Sequence, residues 1–178
     1  MLANLPRKSG RATKKTVKRL LPIPKVYMEA IPVGQSMFPT LYQFENGLRL
    51  AIDKHLSTCY GPNWWEVSLK TNLPTIYDYA EDAKTKRASM PWIGSSARTT
   101  VLPIHLVTLG HLEEIVKKYE ADCIPSLFPT KEFFLGHMEC IKRVRNLYSH
   151  MFPCLDKQDT RLVKSEVRVL AWHLRTKL

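Results

Sequence analysis

Apolar residues recur at helical spacing in five stretches of the chain, and sheet-like alternation is scarce throughout. Leu41, Phe44, Leu48, Ile52 and Leu56 follow one another at steps of 3 and 4, which predicts a helix opening after Pro39. Its stop is Cys59-Tyr60-Gly61-Pro62, with Gly and Pro where a helix end wants them. Glu45, Arg49 and Asp53 share a second face and can pair along it. A weaker pattern predicts a helix from Thr75 to about Ala88, with Ile76, Tyr79, Ala80 and Ala83 inward. A third uses Leu109, Leu112, Val116 and Tyr119 and ends before Pro125. Between Pro129 and Pro153 the stripe Phe134, Met138, Ile141, Val144, Tyr148 and Met151 predicts one long buried helix. The last helix turns Val163, Val167, Leu170 and Leu174 inward and Arg161, Lys164, Arg168 and Arg175 outward. Of the adjacent Trp64 and Trp65, one is expected to pack and the other to cover a neighbouring loop or surface. The segment 89–103, with two prolines and Gly94, is expected to be a crossing loop. The predicted fold class is therefore all-α, a bundle of four to five helices.

Charge divides the chain in two. Its 178 residues suit one domain and carry 27 basic side chains against 16 acids, a net charge of +11. Eight of those cations and no acid fall within the first 28 residues. This segment is rich in proline and poor in apolar residues, so residues 1–36 are expected to form a mobile arm and residues 37–178 the bundle. Lys14, Lys15, Lys18 and Arg19 are the arm's candidate phosphate contacts, the alternative being a merely solubilising extension. Leu20 and Leu21 run straight into Pro22, which denies the arm a secretory apolar core. No window approaches the roughly 18 apolar residues of a membrane span, so a cytoplasmic protein with no membrane partner is expected.

Cys59, Cys123, Cys140 and Cys154 contain no Cys-x-x-Cys pair, and reduced thiols are expected. The His137/Cys140 and His150/Cys154 pairs lie roughly 20 Å apart if they share one helix, too far for one zinc ion. Neither a metal nor a cofactor is expected. Phosphate-binding glycine loops, the Gly-x-Ser-x-Gly elbow and His-Glu-x-x-His are all missing from the sequence.

Opposite the 134–151 stripe lie Glu139, Lys142, Arg143, Asn146 and His150. Within Arg145-Asn146-Leu147-Tyr148-Ser149-His150, an Arg-Asn pair is followed by a His four residues beyond the Asn. This series resembles the signature of the HEPN superfamily (higher eukaryotes and prokaryotes nucleotide-binding). Glu45-Asn46-Gly47-Leu48-Arg49, the Tyr60 to Trp65 segment and Leu106 to Glu113 are similar to a Trp-containing branch of it. The likeness spans about residues 38 to 170. Tyr148 and Ser149 depart from it, filling positions where many relatives carry small residues.

Metal-free RNA cleavage needs a base for the 2′-hydroxyl proton, an acid for the leaving 5′-oxygen and cations for the phosphate. His150 titrates near neutrality and suits either proton-transfer role. Arg145 suits the phosphate, and Arg143 and Lys142 add positive field. Asn146, one turn before His150, can hydrogen-bond to it or to substrate. Glu45 and Arg49 are possible supporting residues. The resemblance implies a homodimer that brings two copies of the motif together, and hence an endoribonuclease of toxin or anti-phage defence type. RNA and an antitoxin or regulatory protein are its expected partners. The alternative is a non-catalytic homodimeric module that binds RNA or protein.

Overall fold

Thirty-six consecutive residues, Lys25–Tyr60, form helix α1. The computed structural model describes residues 24–90, 101–149 and 157–175. After α1 come a π-helical turn (Trp65–Leu69), the single turn α2 (Lys70–Asn72) and α3 (Pro74–Ala88). A 3₁₀ turn (Pro103–Leu106) precedes α4 (Leu109–Lys118), α5 (Glu120–Leu127), α6 (Lys131–Ser149) and α7 (Lys157–Arg175). Among the described residues there is no strand, so the all-α class stands. No helix among them is long and apolar enough to cross a membrane.

The predicted stripes build the core. Leu41, Phe44, Leu48, Ile52 and Leu56 are all buried, as are Phe134, Met138, Ile141 and Val144 of α6 and Val163, Val167, Leu170 and Leu174 of α7. Tyr148 is half-buried, and Met151 lies outside the described residues. α7 packs on both α1 and α6, and α4 and α5 also pack on α1.

The arm boundary at residue 36 is corrected. Helix α1 starts at Lys25 and runs through Pro32 and Pro39, although each proline deletes one ladder hydrogen bond. Both sit on the solvent side, where the carbonyls they leave without a donor can take water, and burial of Gly34, Met37 and Leu41 carries the helix past them. Residues 1–23, with Lys14, Lys15, Lys18 and Arg19, lie outside the described residues. Helix α1 ends where expected, at Gly61, whose φ of +86° is a conformation that glycine adopts without Cβ strain.

Three further expectations are corrected. Trp64 and Trp65 are both buried, packed edge to face with ring centroids 5.3 Å apart. Trp64 Nε1 donates to Asp53 Oδ1 at 3.0 Å, and Tyr119 packs edge-on to the same indole, so the corner encloses both rings. The helix expected to stop before Pro125 instead breaks at Tyr119 and resumes as α5, with Pro125 inside it. Pro125 faces solvent there while Cys123 and Leu127 anchor the turn inward. Tyr79 is exposed rather than inward, its ring lying edge-on to His111. The loop residues 91–100 lie outside the described residues, but the loop's far end folds inward, burying Ile104 and Val107.

Gly34 is where the N-terminal half of α1 meets the end of α6. A Cβ at this position would stand 2.6 Å from Cε2 of Tyr148. Alanine gains about 1 kcal/mol of helix propensity over glycine, and overpacking costs about 1–3 kcal/mol. Gly34→Ala is therefore expected to lower the unfolding free energy by about 1 kcal/mol. In a Tyr148→Ala background the same substitution is expected to become stabilising by a similar amount. Urea unfolding of the four members of this double-mutant cycle checks the change of sign.

Candidate functional site

The site is organised by a buried charge that the sequence reading put on a second face of α1, beside the apolar stripe. Arg49 is in phase with Ile52 and Leu56 and is buried, 7% exposed. A guanidinium withdrawn from water needs a counter-charge and partners for its N–H groups. Nη2 meets Glu45 Oε1 at 2.5 Å, one helical turn earlier. Nε donates to the carbonyl of Ile104 at 3.1 Å, and Nη2 also donates to that of Val107 at 2.9 Å. The expected Glu45–Arg49 pair thus forms, and it pins the segment entering α4 onto α1. Asp53, the third member of that face, serves Trp64 instead. His105, beside this cluster, is held below its ordinary pKa by burial and by the charge of Arg49.

Arg145 joins the same cluster from α6. Its Nε stands 3.8 Å from Glu45 Oε2, so one carboxylate faces the buried Arg49 with one oxygen and the half-exposed Arg145 with the other. Seven residues beyond the fully buried Met138, Arg145 occupies the core-facing side at the end of α6. Asn146 and Arg143 are exposed. His150, which the sequence reading put on the face of Arg143, lies outside the described residues. The structure therefore gathers Arg145, Glu45 and Arg49, and leaves Arg143 and Asn146 on the outer side of α6.

Lys142 is placed differently from expectation. It is not a solvated cation: its Nζ lies 2.5 Å from Glu113 Oε2, whose other oxygen holds Lys117 Nζ at the same distance. Burial alone would raise the pKa of Glu113, but Lys117 and Lys142 outweigh it and hold the carboxyl below its ordinary value. This carboxylate was missed by the motif reading. Its signal is phase, since Glu113 falls four residues after Leu109 and three before Val116, within the apolar stripe of α4.

The remaining histidines have structural partners. His111 caps α4: its backbone N–H donates to Thr108 Oγ1 while its Nδ1 accepts from the Thr108 N–H. His55 Nε2 meets the Asp122 carbonyl at 3.0 Å, and His137 pairs with Glu166 across the α6–α7 contact. His173 packs against Phe133. The Cys123 thiol is pushed up to about 12 by burial, which removes its nucleophilic form at neutral pH. Among the described residues no three His, Cys, Asp or Glu side chains gather as a metal site. The His150/Cys154 pair falls outside them.

Comparison of the chain with protein-family models, with curated proteins and with solved structures finds no match.

The Glu113 bridge generates a pH dependence. Its pKa is lower in the folded state, so its stabilisation is fully present above the unfolded value near 4.5 and is lost as pH falls through the folded value. Glu113→Gln is expected to cost about 1–2 kcal/mol near neutrality. The gap to wild type should hold above the unfolded value near 4.5 and close as pH falls below it through the lower folded value. Urea unfolding across that range measures it.

Proposed function

We propose that this chain is a metal-independent endoribonuclease of the HEPN type, with His150 as the proton-transfer group. The observation that supports the reading best is the fixed position of Arg145. Its partner Glu45 is itself anchored by the buried Arg49, so the cation that begins the Arg-Asn-x-x-x-His series stands 3.8 Å from a carboxylate that is already in place. In this scheme a base takes the 2′-hydroxyl proton, the 2′-oxygen attacks phosphorus and the bond to the 5′-oxygen breaks. An acid then protonates that oxygen, leaving a 2′,3′-cyclic phosphate. Arg145 and the exposed Arg143 stabilise the charge on the phosphate, and Asn146 orients the imidazole or the substrate.

Two proton transfers ask for two proton-transfer groups, and the motif of each chain contributes one histidine. A homodimer supplies the second, and α1 offers a surface for it. Tyr27, Ile31, Phe38 and Tyr42, spaced 4, 7 and 4 along one face, are all exposed, with Phe38 and Tyr42 stacked at 5.7 Å. Such a stripe favours self-association. Gly34 against Tyr148 sets this part of α1 beside the end of α6, close to the motif.

A second reading keeps the RNA and drops the chemistry. It is favoured by the carboxylates already facing Lys142 and Arg145, which reduce the positive field left for a phosphate. The two readings separate on labelled RNA in EDTA, where the enzyme cuts and a binding module only retains the RNA.

His150→Ala is expected to lower cleavage by about 10²- to 10⁴-fold with binding and melting temperature retained. Arg145→Ala should also slow cleavage. Equal cutting by wild type and His150→Ala would refute the assignment. For the dimer, Phe38→Glu is expected to raise the dissociation constant about a hundredfold or more by burying a charge in an apolar contact. Light scattering over a dilution series reads the change, and a wild type monomeric at micromolar concentration would remove the dimer from the scheme.

A further inference from the structure

We infer that the outward face of α7 is a docking surface for single-stranded RNA, with phosphates on Arg161, Arg168 and Arg175 and a base on Trp172. The inference deepens the ribonuclease reading by naming an unpaired strand as the ligand. Its measurement is binding rather than cleavage, so the two fail separately.

Helix α7 is amphipathic in an unusual sense. Its inner line is apolar and buried, and its outer line holds Arg161, Ser165, Arg168, Trp172 and Arg175 with no acid among them. The two acids of the helix lie elsewhere: Glu166 is engaged with His137, and Asp159 is half-buried off this face. The three arginines recur every seven residues, roughly 10.5 Å apart along the axis. All three are exposed, and none forms an ion pair with a described residue. A row of uncompensated guanidinium groups calls for a partner with repeated negative charge.

Trp172 narrows the chemistry. It is 66% exposed, the most solvent-open tryptophan among the described residues, although an indole on a monomeric surface gains nothing from water. His173 lies edge-on to it at 4.7 Å and packs in turn on Phe133 of α6, so the ring is buttressed while still open to a partner. A buttressed indole flanked by arginines is how a protein holds an unpaired base and its backbone together. Bases in a duplex are stacked inside and out of its reach.

An anionic lipid surface would also attract arginine and tryptophan, but the arrangement is wrong for it. A helix lying in a membrane interface centres its apolar residues and puts cations at the rim. Here the arginines and the indole share the centre of the face, and the partly exposed Leu162 and Val169 lie to one side of it.

The test uses the full chain and a 2′-O-methyl oligouridine, which lacks the nucleophilic hydroxyl and is not cut. R161Q/R168Q/R175Q is expected to flatten the log-log dependence of affinity on salt by about 2, from about 0.7 for each phosphate no longer held. W172A is expected to weaken binding about five- to a hundredfold at fixed salt, with the slope unchanged and affinity largely restored in W172F. Duplex RNA of the same length should be insensitive to W172A. All of these positions are exposed, so circular dichroism melts should match wild type. Wild-type affinity and slope in both variants would overturn the inference. So would variants that keep the oligouridine and lose phosphatidylserine vesicles, which would assign the face to a membrane.

Discussion

A single buried guanidinium sets the terms for this fold. Arg49 lies where the periodicity of α1 demands an apolar side chain, and its charge is tolerable there only because Glu45 and two backbone carbonyls surround it. Those carbonyls belong to residues more than fifty positions away, so the interaction joins the first helix to the start of α4. The second oxygen of Glu45 carries the network on to Arg145, at the far end of α6. A structural necessity of the core thereby sets a carboxylate beside a residue of the proposed active centre. Removing Glu45 would touch both, leaving a buried charge unpaired and Arg145 without its tether.

Charge pairing also decides which cations of α6 remain available. Lys142, Arg143 and Arg145 are almost contiguous, yet each has a different fate. Lys142 is drawn to the buried Glu113, Arg145 is shared with Glu45, and Arg143 alone stands exposed on the outer side. Of these three cations, the most accessible is therefore Arg143.

Periodicity made the core legible. Every residue of the Leu41 to Leu56 stripe and of the α7 stripe is buried, because a 3.6-residue repeat leaves one side of a helix no other place for apolar surface. Proline was the weak guide. Pro39 and Pro125 read as breaks, and both lie inside helices, where tertiary burial outweighs a missing hydrogen bond. For the site, the Glu45–Arg49 pair was readable from its spacing. The burial of Arg49 was missed, because its pairing with Glu45 and Asp53 read as a separate charged face, although it stands seven residues before the buried Leu56. The partners of Lys142 and Arg145 were not readable, since no local rule links α6 to Glu113 on α4 or to Glu45 on α1.

The length of α1 has a thermodynamic consequence. At 1.5 Å per residue it spans about 54 Å, against about 28 Å for α6 or α7, so its first turns extend beyond the helices that support the rest. Between Lys25 and Gly34 almost nothing is buried, and an isolated helical segment of that length is marginal in water. Its local opening free energy must sit near zero, far below that of the Leu48 to Leu56 turns. Ordering this overhang and covering its apolar stripe are then one equilibrium. Under the proposed dimer, amide protection from Val26 to Gly34 would rise with protein concentration, making the end of the helix a gauge of that association.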